Sequence, residues 1–229
     1  MSQDDRAGQG SPYGGVGLNS LLPRAQLIDR FGSALILEEY GKTDLEIIAK
    51  KNPSILHQVA ANVWNRIIQK AWHAVDPLQF ASQFRTSDPR LYQAISTFLG
   101  IEVIRDIYYV QGWKSQKRKS SLVVELVVAW VYRNDLLLAD ITFIDPASPI
   151  SAGERQFALQ THKGLGLLPT LLGNMECKAK ELGCDQLTLT ASMRDLVILF
   201  RRFGFAVEDS EMGRSGMEIG CGIPMERDV

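Results

Sequence analysis

The chain has 229 residues, 45% hydrophobic and 22% charged, with a formal net charge of −1. That is an ordinary globular composition, of a size for one large domain or a core domain with a smaller companion. The near-neutral charge argues against a basic coat for non-specific nucleic-acid binding, and no apolar run approaches the roughly 20 residues that a membrane-spanning helix needs.

The first stretch, "MSQDDRAGQGSPYGGVG", carries acids and glycines where a secretory signal would carry basic and then apolar residues, so a cytoplasmic location is expected. Residues 1–19 hold five glycines and no apolar periodicity, which predicts a disordered tail. From Leu21 to Gly100 the pattern is helical. "TDLEIIAKKN" offers Thr43 as an N-cap with Glu46 three residues later, the capping-box arrangement. "PSILHQVAANVWNRIIQKAWHAV" repeats Ile55, Val59, Val63, Ile67 and Ala71 at steps of four, flanked by Leu56, Trp64, Ile68, Trp72 and Val75. That stripe is wide enough for a helix packed on two sides. "DPRLYQAISTFLG" repeats the logic, with Asp88 as cap, Pro89 in the first turn and Gly100 as the stop.

After Gly100 the texture changes. "IEVIRDIYYVQGW", "SLVVELVVAWVY" and "LLLADITFID" are rich in β-branched and aromatic residues and read as strands, the last two joined at Asn134-Asp135 as a hairpin. "KSQKRKS" between the first two has two readings, a solvated hairpin tip or a patch for an acidic partner. "DPASPISAGER" reads as a loop and "QFALQT" as a short strand. A glycine turn and a helix to about Leu182 follow, then a strand "DQLTLTA", a helix "MRDLVILFRR" and a strand beginning "FGFAVED". Strands and helices alternate in this last third. Cys177, Cys184 and Cys221 are too few and too widely spaced for a disulfide framework or a zinc site, and buried free thiols are expected. His57, His73 and His162 are too scattered for a metal cluster.

The glycine turn, Thr161-His162-Lys163-Gly164-Leu165-Gly166, opens a helix. It either lets the chain reverse or holds an anion on bare backbone N–H groups, since the first N–H groups of a helix lack internal partners. Gly-x-Gly alone decides neither: it lacks the rest of a dinucleotide fingerprint and the ending of a P-loop. A second motif, "FRRFGF" from Phe200 to Phe205, closes a helix one strand later.

This pair of motifs, in this order, resembles the GCN5-related N-acetyltransferase superfamily over about residues 101–220. The resemblance implies an α+β fold: a mixed, mostly antiparallel sheet with flanking helices, preceded by an N-terminal helical region. The resemblance does not cover the first hundred residues, so the chain divides into a tail 1–19 and a helical region 20–100, both read from their own pattern, and an acyl-CoA-binding domain 101–229. The resemblance implies transfer of an acyl group, typically acetyl, from acetyl-CoA to an amine, with no metal. The pyrophosphate would lie on Thr161, His162, Lys163, Gly164, Leu165 and Gly166. Three positions depart from the family pattern. Thr161 stands where the family has Gln or Arg, Met193 where many members have Asn, and Phe200 where a tyrosine protonates the leaving thiolate. A phenylalanine has no proton to give.

The remaining candidates for proton transfer are Glu125 and Ser192, with Asp140 similar to Glu125. Burial of Glu125 would suit a base, whereas an ion-paired or edge-facing glutamate would be structural. Asp145 fits the start of the turn before Pro146. Two functional readings stand: an acyltransferase, or a non-catalytic binding, regulatory or assembly protein on the same scaffold. The acceptor is an amine of unknown size, nucleic acid is not an expected partner, and the N-terminal helices offer a surface for a homodimer or another protein.

Overall fold

The computed structural model describes residues 17–71, 97, 102–114 and 121–229. One mixed sheet organises the chain. Its path, in spatial order, is β1 (Ile36–Tyr40), β2 (Ile104–Trp113), β3 (Leu122–Val131), β4 (Asp135–Pro149), β6 (Gln186–Met193), β8 (Cys221–Asp228) and β7 (Ala206–Val207). A three-residue strand, β5 (His162–Gly164), pairs with β4 off that path. All neighbours are antiparallel except β4 and β6. The fold is therefore α+β, with a mostly antiparallel sheet and helices on its faces.

Helices α1 (Arg24–Phe31), α2 (Leu45–Lys51), α3 (Ser54–Ala71), α4 (Leu168–Leu182), α5 (Arg194–Arg201) and α6 (Glu211–Ile219) complete the described elements. Two apolar cores lie on opposite faces of the sheet. On one face Ile55, Leu56, Val59, Val63 and Trp64 of α3 pack on Tyr109, Val127, Ala129 and Leu137. On the other, Leu171, Leu172 and Met175 of α4 and Val197 and Phe200 of α5 pack on Leu126, Val128, Leu138 and Leu189. The alternation of strand side chains explains the division: successive residues point to opposite faces. Burying two such layers is what a chain of this length needs for its stability.

The parallel β4–β6 pair requires a crossover, which α4 supplies. Pro169 sits in its first turn. At its end Gly183 adopts a left-handed φ of 65°, its N–H reaches the Lys180 carbonyl, and Cys184 N–H reaches that of Ala179 at 2.8 Å. This Schellman ending satisfies carbonyls the helix leaves open.

Several elements differ from the sequence reading. The segment before residue 101 is not helical throughout, because Ile36–Tyr40 form β1, in register with Tyr109–Trp113. Residues 20–100 and 101–229 therefore share a sheet. Leu18 belongs to the core at 2% exposure, so part of the expected tail is packed on the domain. Thr43 does not cap α2. Asp44 does related work, its carboxylate accepting the Gly41 N–H at 3.0 Å. The strand expected at "QFALQT" is instead β5, β4 runs on to Pro149, and α6 and β8 have no counterpart in the sequence reading. Cys184 is buried, which pushes its thiol up to about 12, but Cys177 and Cys221 are exposed. The helix read at 88–100 and most of "KSQKRKS" lie outside the described residues. No helix among the described residues is long and apolar enough to cross a membrane.

Candidate functional site

The site begins with a fault in β4. Leu138 faces Val128, but Asp140 faces Val127, so Ala139 is an extra residue, a β-bulge. A bulge increases local twist and bends its strand. Here β4 and β6 pair only from Asp135 to Leu138, against Gln186–Leu189, and part at the bulge. Pairing of β4 with β5 begins at Ile144. Between the two, the backbone of Ala139–Thr142 is laddered to β3 alone.

A cavity of about 560 Å³ occupies this parting of the strands, within the range of small-molecule sites. It reaches both faces of the sheet. On the α3 face its wall is polar: Asp140, Thr190 and Ser192 from the strands, and His57, Gln58 and Asn62 from α3. Asn62 Nδ2 donates to Thr190 Oγ1 at 3.1 Å, tying α3 to β6 across the opening. On the other face the wall is apolar, with Leu138, Leu189, Leu196 and Phe200. Glu208, 6% exposed, closes the end beneath α6. Its carbonyl lies so near Gly213 that a Cβ there would come within 2.0 Å of it.

Asp140 owes its place to the bulge. Were β4 regular through Ala139, Asp140 would alternate onto the apolar face with Leu136 and Leu138; the bulge instead sets it beside Val127 on the α3 face. Burial, and next the neighbouring Glu125, push its carboxyl above the ordinary carboxylate range, against the backbone N–H of Ile141. A half-buried carboxylate with a raised pKa on a cavity wall is a candidate proton acceptor.

Glu125 is one diagonal step from Asp140, because it faces Thr142 while Asp140 faces Val127. It does not line the cavity. Its Oε1 accepts three hydrogen bonds, from Asn52 Nδ2 at 3.0 Å, Tyr109 OH at 3.0 Å and Gln111 Nε2 at 3.2 Å. Asn52 also ties the start of α3, its Oδ1 accepting the Ser54 N–H and hydroxyl at 3.2 and 2.6 Å. Burial and Glu125 raise the Tyr109 phenol, which therefore stays protonated and donates. Ser192 is exposed and on the cavity wall, on the same face as Asp140 and Thr190. Sequence analysis weighed Asp140 only as the like of Glu125; its cavity position depends on a bulge that no local pattern announces.

The six residues of the glycine turn do not line this cavity. They stand further along β4. Gly164 faces Ile144 in the ladder, and Leu165 N–H donates to the Phe143 carbonyl at 3.2 Å. From Ile141 at the cavity to Ile144 at the turn is three residues, about 10 Å of strand. Gly166 has φ +72°, which glycine adopts without strain, and nothing lies within 4 Å of where its Cβ would be. The α4 N-terminus has no side-chain cap and Pro169 carries no N–H, which leaves those of Leu168 and Thr170 in the first turn for an anion. Thr161 Oγ1 lies 3.0 Å from His162 Nδ1, and Lys163 is exposed beside them. Asp145, expected to start a turn before Pro146, lies instead within β4, where it accepts the Ala147 N–H and the Arg30 guanidinium, both at 3.0 Å, which hold it below the usual carboxylate range.

No protein-family model and no curated protein matches the chain. Solved structures do. PaiA N-acetyltransferase of Thermoplasma acidophilum, in complex with coenzyme A, is 14% identical over 85% of this chain and 99% of its own, with a TM-score of 0.35. An acetyltransferase of the GNAT family from Staphylococcus aureus is 10% identical over 85% and 98%, at 0.33. A Bacillus subtilis acetyltransferase in complex with CoA is 14% identical over 62% and 86%, at 0.31. At such TM-scores none supplies a residue correspondence, and every role below rests on this chain's own geometry.

Proposed function

We propose that the chain is an acyl-CoA-dependent N-acyltransferase, with acetyl-CoA as the expected donor. The observation that carries this reading is the cavity at the parting of β4 and β6, polar on the α3 face and apolar on the other. The unpaired stretch of β4 and the open N–H groups of α4 lie in line with it. An elongated, anionic thioester suits that line: pyrophosphate at the glycine turn, a polar arm along β4, and the acyl end at the gap.

The acceptor amine enters from the α3 face. Its ammonium yields a proton to Asp140, and the neutral nitrogen attacks the thioester carbonyl. The N–C bond forms, the C–S bond breaks, the sulfur leaves as thiolate, and the second proton of the nitrogen passes through water to that thiolate, leaving a neutral amide and a thiol. Phe200, 6% exposed on the apolar wall, cannot protonate it. A CoA thiolate is a tolerable leaving group that water can protonate. Most of the acceleration then comes from positioning, which alone contributes about 7–11 kcal/mol in favourable cases. The open cavity also speaks for this reading over the non-catalytic alternative, under which side chains would fill it.

Calorimetric titration with acetyl-CoA, followed by a turnover assay over a panel of primary amines, tests the proposal. We expect micromolar binding and transfer to at least one amine class, with Asp140→Asn keeping donor binding and losing transfer. Absence of CoA binding by both heat and thermal shift would overturn it.

A further inference from the structure

Glu125 sits outside the cavity and yet is held with unusual care. Three donors from two separate segments, Asn52 after α2 and Tyr109 and Gln111 on β2, converge on one of its oxygens. Two carboxylates one diagonal step apart on a sheet face, with Cα atoms roughly 7–8 Å apart, do not both carry charge without cost. The one with more donors keeps its charge and its neighbour takes the proton. Among the described residues, Asp140 has the Ile141 N–H to set against the three donors on Glu125.

We infer that Glu125 is a positioning residue: an anion fixed by Asn52, Tyr109 and Gln111 that directs the proton of an incoming ammonium onto Asp140. This rests on the N-acyl transfer reading above. The step is balanced: the ammonium loses one proton, the Asp140 carboxylate becomes a carboxylic acid, and Glu125 changes neither charge nor bonding. Asp140 returns its proton to solvent before the next cycle.

The other charged or titratable groups near the pair fit this division. Lys51 of α2 donates to Glu38 of β1 at 2.5 Å and lies 5.1 Å from the Tyr40 ring centre. The Tyr40 hydroxyl also goes to Glu38, at 2.8 Å. Lys51 is thus engaged on the outer strand, two strands from Glu125. His57 of α3 and Glu208 are on the cavity wall, on Asp140's side.

Site-resolved ¹³C-carboxyl NMR titration of the full chain, without donor or acceptor, tests the assignment. In Glu125→Gln the Asp140 midpoint is expected to fall by several tenths of a pH unit or more, as removal of a unit charge at that range requires. Tyr109→Phe removes one of the three donors, weakens the hold on the Glu125 charge, and should lower the Asp140 midpoint by a smaller amount. Glu38→Gln, two strands away, should leave Asp140 in place. An Asp140 midpoint unmoved in Glu125→Gln, or moved equally by Glu38→Gln, would overturn the inference. If Glu125→Gln fails to fold, Tyr109→Phe decides: an unmoved Asp140 midpoint overturns it. Failure of CoA binding would sink the acyltransferase reading and leave these titrations untouched.

Discussion

Replacing Asp140 by asparagine should stabilise the protein at neutral pH while removing its activity. The folded chain raises the Asp140 pKa, through burial first and Glu125 second. The folded state therefore holds this proton more tightly than the unfolded state, where the value is near 3.8. By linkage, the stability contributed by this group falls as pH rises through the folded-state pKa, and the cost is fully present above it. Two unit charges about 7 Å apart repel by about 2 kcal/mol at an effective dielectric of about 20. Asparagine keeps the shape and the acceptor oxygen and loses the charge. The gain at pH 7.5 should approach that figure, which for a chain of this length is about 4–8 °C in Tm. Thermal unfolding of wild type and Asp140→Asn across pH 4–8 checks it. The difference should shrink toward the acid end, where Asp140 is protonated in both states. An unchanged or lower Tm at pH 7.5, or a gain that persists undiminished at pH 4, would refute the reasoning.

The glycine turn separates binding from folding. Gly164→Ala meets only the Phe143 carbonyl, at an ordinary 3.7 Å, so thermal stability should hold within about 0.5 kcal/mol while CoA affinity drops in calorimetry. Gly166→Ala forces a non-glycine residue to φ +72° and should cost about 1–2 kcal/mol in denaturant unfolding. Phe200→Tyr places a phenol on the cavity wall, edge-on to Phe205 with ring centres 6.0 Å apart. If thiolate protonation limits turnover, kcat should rise by at least about 10-fold, and an unchanged kcat places the limit elsewhere. Gly213→Ala drives a methyl to 2.0 Å from the Glu208 carbonyl; loss of about 3 kcal/mol or outright misfolding is expected, read by circular dichroism.

Much of the architecture was legible because it is local. The α3 stripe, the β-branched and aromatic runs of β2, β3 and β4, and the Gly183 stop each announce themselves within one element. The misses are non-local. "ILEEY" contains two glutamates and sits between helices, and its strand state is set by pairing with β2 some 70 residues later. The α6 sequence "EMGRSGMEI" has glycines that ordinarily weaken a helix by about 1 kcal/mol each. Here they are what packing demands. A Cβ on Gly216 would lie 3.1 Å from the Ile223 Cα, and Gly213 is tighter still.

The site itself was half legible, and the reason is a single residue. Two-residue alternation through "LLLADITFI" puts Leu136, Leu138 and Asp140 on one face, which would bury the carboxylate in the apolar core with α4 and α5. A reader of the sequence must then treat Asp140 as misplaced or exposed. The bulge at Ala139 resets the count, so that Asp140 follows Val127 and Thr142 follows Glu125 onto the α3 face. The same extra residue coincides with the end of β4–β6 pairing and so with the opening of the cavity. One backbone irregularity thus places the carboxylate and parts the strands at the same point. Deleting Ala139 should make β4 regular and extend the β4–β6 ladder, while Asp140, now directly after Leu138, still faces α3 opposite Val127. The cavity should close and CoA binding should fall in calorimetry although the carboxylate keeps its face, because the extra residue is what parts the strands.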